Sequence, residues 1–139
     1  MGIKIMVIDK DKKLLNWLSE TLALAGYEAY TCTDEDSSIE KVFQLKPDLI
    51  LLGFNKPAKS GFFLASELRL SAEHIPVIAM TSFYNKAECL KLIEVCNVRR
   101  CLLKPFNPLD VITIIENFSQ LTESALREER LVLAEAHIS

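Results

Sequence analysis

Apolar and polar positions alternate along this chain in blocks that change period in a regular order. Ile3 to Ile8 is apolar and β-branched, and the polar Asp9-Lys10-Asp11 follows it. Over residues 12–25, Leu14, Leu15, Leu18, Leu22 and Ala25 recur at the spacing of an amphipathic helix. Gly26 then stands where a helix ends in a left-handed residue. Glu28 to Cys32 predicts a short second strand, Asp34 to Ser38 supplies capping side chains, and Ile39, Val42 and Phe43 mark a second helix. Asp48 to Leu52 is a continuous apolar run, the mark of a parallel strand buried on both faces.

The cycle then repeats. A loop from Gly53 to Gly61 leads into a third helix carrying Phe62, Leu64, Ala65 and Leu68. Pro76 to Met80 predicts a fourth strand, and Ala87, Leu90, Leu92 and Ile93 a fourth helix. Cys101 to Leu103 lies in a fifth strand, and Pro108 opens a fifth helix at its tolerated first-turn position. Five such units predict an α/β domain, a doubly wound parallel sheet with helices on both faces. Right-handed crossovers favour a 2-1-3-4-5 strand order, which puts a site beyond the C-terminal ends of strands one, three, four and five. Those ends are Asp9 to Asp11, Gly53 to Asn55, Thr81 to Ser82, and Lys104 to Pro105.

The tail departs from this rhythm. Val111, Ile114, Phe118, Leu121, Ala125 and Val132 form one stripe, broken by Glu128 and Glu135. The stripe predicts a fifth helix that continues past the domain, packed on it or forming a coiled-coil seam. The expected division is a domain over 1–121 and a helical extension or linker over 122–139, with room for an output domain after Ser139.

Composition changes this picture little. A chain of 139 residues, half hydrophobic and a quarter charged, suits one soluble domain with a core of its own. A net charge of −3 without a basic stripe argues against nucleic acid as partner. The longest apolar run, Leu49 to Leu52, is too short for a membrane span, and the N-terminus lacks a signal-peptide layout, so a cytoplasmic protein is expected. Cys32, Cys89, Cys96 and Cys101 make no paired metal spacing and are read as reduced thiols. His74 and His137 stand alone, and no nucleophile–base pair, phosphate loop or metal cluster points to an enzyme.

Five segments together carry a resemblance. They are Ile5-Met6-Val7-Ile8-Asp9; Pro47-Asp48-Leu49-Ile50-Leu51-Leu52; Asn55-Lys56-Pro57 with Gly61; Ile75-Pro76-Val77-Ile78-Ala79-Met80-Thr81; and Lys104-Pro105-Phe106. In this order and spacing the chain resembles a response-regulator receiver domain over about residues 3–120. That implies a flavodoxin-like fold and a part in two-component signalling. In such domains two acids after strand one hold Mg²⁺ with an acceptor Asp that closes strand three, while a Thr or Ser and a Lys bind the phosphoryl oxygens.

Carried over by position, Asp9 matches the first acid, but Lys10 replaces the second and Gly53 replaces the acceptor. Thr81 and Lys104 match their roles, Asn55 follows Gly53 by two, and Cys101 stands where the family places a switching aromatic. A pocket of about −2 becomes one of about +1, with Asp11 a nearby acid of undetermined aim. Mg²⁺ is therefore not expected, nor any other metal or cofactor, and Lys10 is expected to turn inward onto Asp9 or Asp11 in the metal's stead. The reading that follows is a pseudo-receiver working as a phosphorylation-independent interaction module. The resemblance implies a partner or homodimer face on helix four, strand five and helix five, with Lys86, Lys91, Glu94, Arg99, Arg100, Cys101 and Asp110. Two alternatives stand beside it: a phospho-receiver with a displaced acceptor carboxylate, and a small-anion or ligand sensor using Lys10, Lys104 and Thr81.

Overall fold

A computed structural model of the chain describes residues 3–33, 35–54, 65–68, 70, 74–82, 87 and 98–117. The chain divides into two compact units, Met1–Phe106 and Asn107–Ser139. In the first, five strands form one sheet: β1 (Lys4–Ile8), β2 (Glu28–Cys32), β3 (Leu49–Phe54), β4 (Val77–Thr81) and β5 (Val98–Leu103). All four pairings are parallel and the order is β2-β1-β3-β4-β5, as the sequence predicts. Every residue of β3 and β4 is buried, which is why both read as unbroken apolar runs. Met6, Ile8, Ile50, Leu52, Phe54, Val77 and Ala79 share one core cluster with Val42, Ala65, Leu68 and Ile75. Their alternate numbering in the strands puts them on one face of the sheet.

The helix α1 (Lys12–Leu24) buries Leu15, Leu18 and Leu22, three of the positions that defined its stripe. It ends as expected at Gly26, whose φ is +93°. The amide of Tyr27 donates to the Leu22 carbonyl and that of Gly26 to the Ala23 carbonyl, both at 3.0 Å. This paired closure satisfies carbonyls the helix would otherwise leave open. The helix α2 (Glu35–Leu45) follows β2.

Strand limits differ from the sequence expectation by a residue or two, and the difference at the end of β3 matters for the site. Gly53 was expected to open a loop but lies inside β3, paired with Met80, because the apolar Phe54 carries the strand one residue further into the core, where it is 1% exposed. The expected strand residues Cys101 to Leu103 lie in β5, which begins at Val98. Val77 pairs with Val98 and Ile78 with Arg100, so Arg99 is the extra residue of a bulge. The bulge leaves Arg99 and Arg100 both exposed, which breaks the alternation by which a strand is read.

In the second unit residues 108–117 are helical. Asn107 caps this helix: its Oδ1 accepts from the Leu109 amide at 3.0 Å, and Asp110 Oδ2 accepts from the Asn107 amide at 3.3 Å. The reciprocal pair is a capping box, with Pro108 at the first helical position. The expected extension over 122–139 lies outside the described residues.

Candidate functional site

The sheet order gathers four of the predicted positions at one edge. Asp9 follows β1, Gly53 lies near the end of β3, Thr81 ends β4 and Lys104 follows β5. The four strands are consecutive neighbours, and Phe54 pairs with Thr81 while Thr81 pairs with Leu103. The Lys104 amide donates to the Thr81 carbonyl at 2.7 Å, holding the start of the segment after β5 against the end of β4.

Asp9 is the centre of the arrangement. Its backbone amide donates to the Cys32 carbonyl at 3.1 Å, and its side chain is fully buried. Oδ1 accepts from the Asp11 amide at 2.9 Å, and Oδ2 lies 2.8 Å from the Lys104 ammonium. Lys104 keeps 17% of its side chain exposed, so the pair is a largely buried ion pair with its cation at the surface end. Buried carboxylates need such partners, because an uncompensated charge there costs several kcal/mol.

The carboxylate of Asp9 leans over Gly53. A Cβ built on Gly53 would stand 2.6 Å from Asp9 Cγ and 3.1 Å from Asp9 Cβ, and closer still to Oδ2. The missing side chain of Gly53 therefore leaves no hole; Asp9 occupies the volume that any side chain there would need. Thr81 is fully buried beside this edge.

Lys10 does not do what the sequence suggested. It is exposed, and the ammonium that pairs with Asp9 belongs to Lys104. Asp9 is buried directly after β1, whereas Lys10 lies in the bend that follows and is exposed. Asp11 has a role the sequence reading left open. It caps α1, its Oδ1 accepting from the amides of Lys13 at 3.0 Å and Leu14 at 3.3 Å. An Asp immediately before the first helical residue is the signal that could have revealed this.

Of the other predicted positions, Asn55, Lys86, Lys91 and Glu94 lie outside the described residues. Arg99, Arg100 and Asp110 are exposed, and Cys101 is half-buried. A feature not foreseen is a cleft of about 480 Å³ beside the site, lined by Asp11, Leu14, Trp17, Ser82, Lys104, Pro105 and Phe106. Among the described residues, no group of three or more His, Cys, Asp or Glu converges as a metal site would require, and no helix is long and apolar enough to cross a membrane.

A 2-1-3-4-5 parallel sheet with its polar residues at the C-terminal strand ends defines a flavodoxin-like domain. Within that class, the family model of the response regulator receiver domain matches residues 5–116, and the chain belongs to this family, whose setting is two-component signalling. The alkaline phosphatase synthesis transcriptional regulatory protein PhoP of Bacillus subtilis (strain 168) is 26% identical over 125 residues, covering 90% of this chain and 52% of PhoP. The chain thus spans about half the length of that curated relative. Among solved structures, a CheY-like receiver domain protein from Methanospirillum hungatei JF-1 superposes with a TM-score of 0.81 at 18% identity, covering 90% of this chain and 99% of that one. Vibrio cholerae chemotaxis protein CheY4 gives 0.76 at 23% identity, over 84% and 98% of the two chains. These likenesses establish the fold.

Proposed function

We propose that this receiver domain is a pseudo-receiver that signals through protein contacts without being phosphorylated. One observation carries the reading: the place where the family keeps its acceptor is Gly53, and the volume above it is filled by an Asp9 carboxylate already paired with Lys104. The donor set does not fit Mg²⁺, a hard cation that wants several oxygen ligands. Gly53 offers no side-chain oxygen and Asp9 is bonded through both of its own, which leaves Asp11 as a single carboxylate with one oxygen already capping α1. A displaced acceptor finds little support either. The Asp9 side chain has no exposed surface for a phosphodonor to reach. The set Lys10, Thr81 and Lys104 makes a poor anion pocket, since Lys104 is committed to Asp9 and Lys10 faces solvent.

Output then depends on a constant surface. A conformational switch needs a ligand that prefers one state, and this pocket has lost the parts through which a phosphoryl group would supply that preference. The exposed Arg99 and Arg100 of β5 suit a docking face for a signalling partner or a second copy of the chain in the cytoplasm, with no catalytic turnover and no cofactor. As charges on an edge strand they also block unwanted strand pairing.

The test is to incubate the protein with acetyl phosphate and Mg²⁺ and weigh it intact. No mass gain is expected. A stable increment of about 80 Da, one HPO₃ unit, mapped to Asp9 or Asp11 would overturn the reading.

A further inference from the structure

We propose that the cleft between the start of α1 and residues 104–106 is a binding site for a small flat aromatic ligand with a cationic N–H donor at one end, the chemistry of an aryl amidine. Its volume of about 480 Å³ falls within the range of small-molecule sites. Trp17 and Phe106 form its aromatic corner, with ring centroids 6.0 Å apart and planes tilted by 41°. A tilted pair leaves ring face open instead of closing into a stack, so a planar ligand can lie against it. Leu14 and Pro105 complete the apolar walls.

The polar lining decides the charge at the other end. Lys104 reaches the cleft, but its ammonium is bound to Asp9 at 2.8 Å and the two charges offset each other. The charge that remains in the lining is that of Asp11. Its capping bonds to Lys13 and Leu14 both go to Oδ1, and Oδ2 keeps its capacity to accept. Ser82 adds a hydroxyl. A cationic N–H donor gains a charge-assisted hydrogen bond from Asp11 and an attraction to the indole face of Trp17. Lys10, Lys12 and Lys13 are exposed and lie outside the lining of the cleft.

Trp17 is the single tryptophan of the chain, so its indole N–H gives one unambiguous peak in a proton–nitrogen correlation spectrum. At physiological salt the full chain would be titrated with naphthamidine, and separately with its neutral amide and its anionic naphthoate counterparts. The amidine is expected to shift the indole peak saturably, with the amide at least about fivefold weaker and naphthoate weakest. Asp11→Asn keeps a good helix cap while removing the charge, so the fold survives the test. In that variant the amidine should lose roughly five- to tenfold in affinity while the amide is unchanged. The proposal is overturned if no probe moves the indole peak saturably, if naphthoate matches the amidine, or if Asp11→Asn leaves the amidine's advantage intact. The site stands apart from the pseudo-receiver reading: a chain that gained mass from acetyl phosphate and still bound the amidine would remove that reading and keep this one.

Discussion

Gly53→Ala is the smallest change that interrogates the packing at the centre of the site. In an extended strand the substitution would ordinarily help, by about 0.4–1 kcal/mol, because alanine gives the unfolded chain less freedom to lose. Here the new methyl would stand 2.6 Å from Asp9 Cγ and 3.1 Å from Asp9 Cβ, inside contact distance of a side chain with no exposed surface. Asp9 can yield only by turning away from the Lys104 ammonium at 2.8 Å or by pushing on the backbone of β3. Overpacking of this kind costs about 1–3 kcal/mol, so the net expectation is destabilisation by roughly 1–2 kcal/mol. Urea unfolding would show a lower midpoint with an unchanged slope. Asp9→Ala removes the two nearest atoms, Oδ2 and Cγ, and in that background the cost of Gly53→Ala should fall by at least half, a coupling that a double-mutant cycle measures directly. A Gly53→Ala protein as stable as the parent, or more so, would refute the claim that Asp9 occupies this volume. The same geometry predicts that Gly53→Asp brings a second carboxylate into a space with one paired cation and does not restore phosphorylation.

Lys104→Met should cost about 2–3 kcal/mol in urea unfolding, since it leaves the buried Asp9 carboxylate without its cation. This lies at or below the roughly 3–5 kcal/mol for breaking a fully buried pair, because Lys104 is 17% exposed. Lys10→Met should change stability by no more than about 0.5 kcal/mol, the usual limit for an exposed position without partners; a loss comparable to that of Lys104→Met would mean that Lys10 turns inward after all. Asp11→Ala should lower stability by about 1 kcal/mol through loss of the α1 cap while Asp11→Asn is nearly silent, and equal losses in the two would argue against capping.

The fold was legible because its strongest signals are periodic and local. β3 and β4 are buried along their whole length, so runs such as Leu49 to Leu52 and Val77 to Met80 could hardly be anything else in a chain that alternates them with helical stripes. Strand limits failed where a single residue interrupts the pattern for its own reason. Gly53 looks like a loop residue until Phe54 is seen to be buried beyond it, and the Arg99-Arg100 pair hides the start of β5 because a bulge turns both outward. The site was legible as a set of positions, since strand order alone brings Asp9, Gly53, Thr81 and Lys104 to one edge. Which side chain would meet which was not, because two lysines of similar reach flank Asp9 in the fold and only one points at it.

That distinction bears on how a family member whose residues depart from the pattern should be read. Lys104 and Thr81 stand where the resemblance puts phosphoryl-binding residues, and their presence alone would suggest that a binding function survives. Their contacts suggest otherwise: Lys104 holds a carboxylate of its own chain, and Thr81 is sealed in the interior. Lys10, one of the residues that depart from the pattern, lies in the bend after Asp9 and is exposed. A residue that matches the pattern can thus be held by its own chain, while one that departs from it faces solvent. At Gly53, where the resemblance puts the acceptor, the Asp9 carboxylate occupies the volume that a side chain would need.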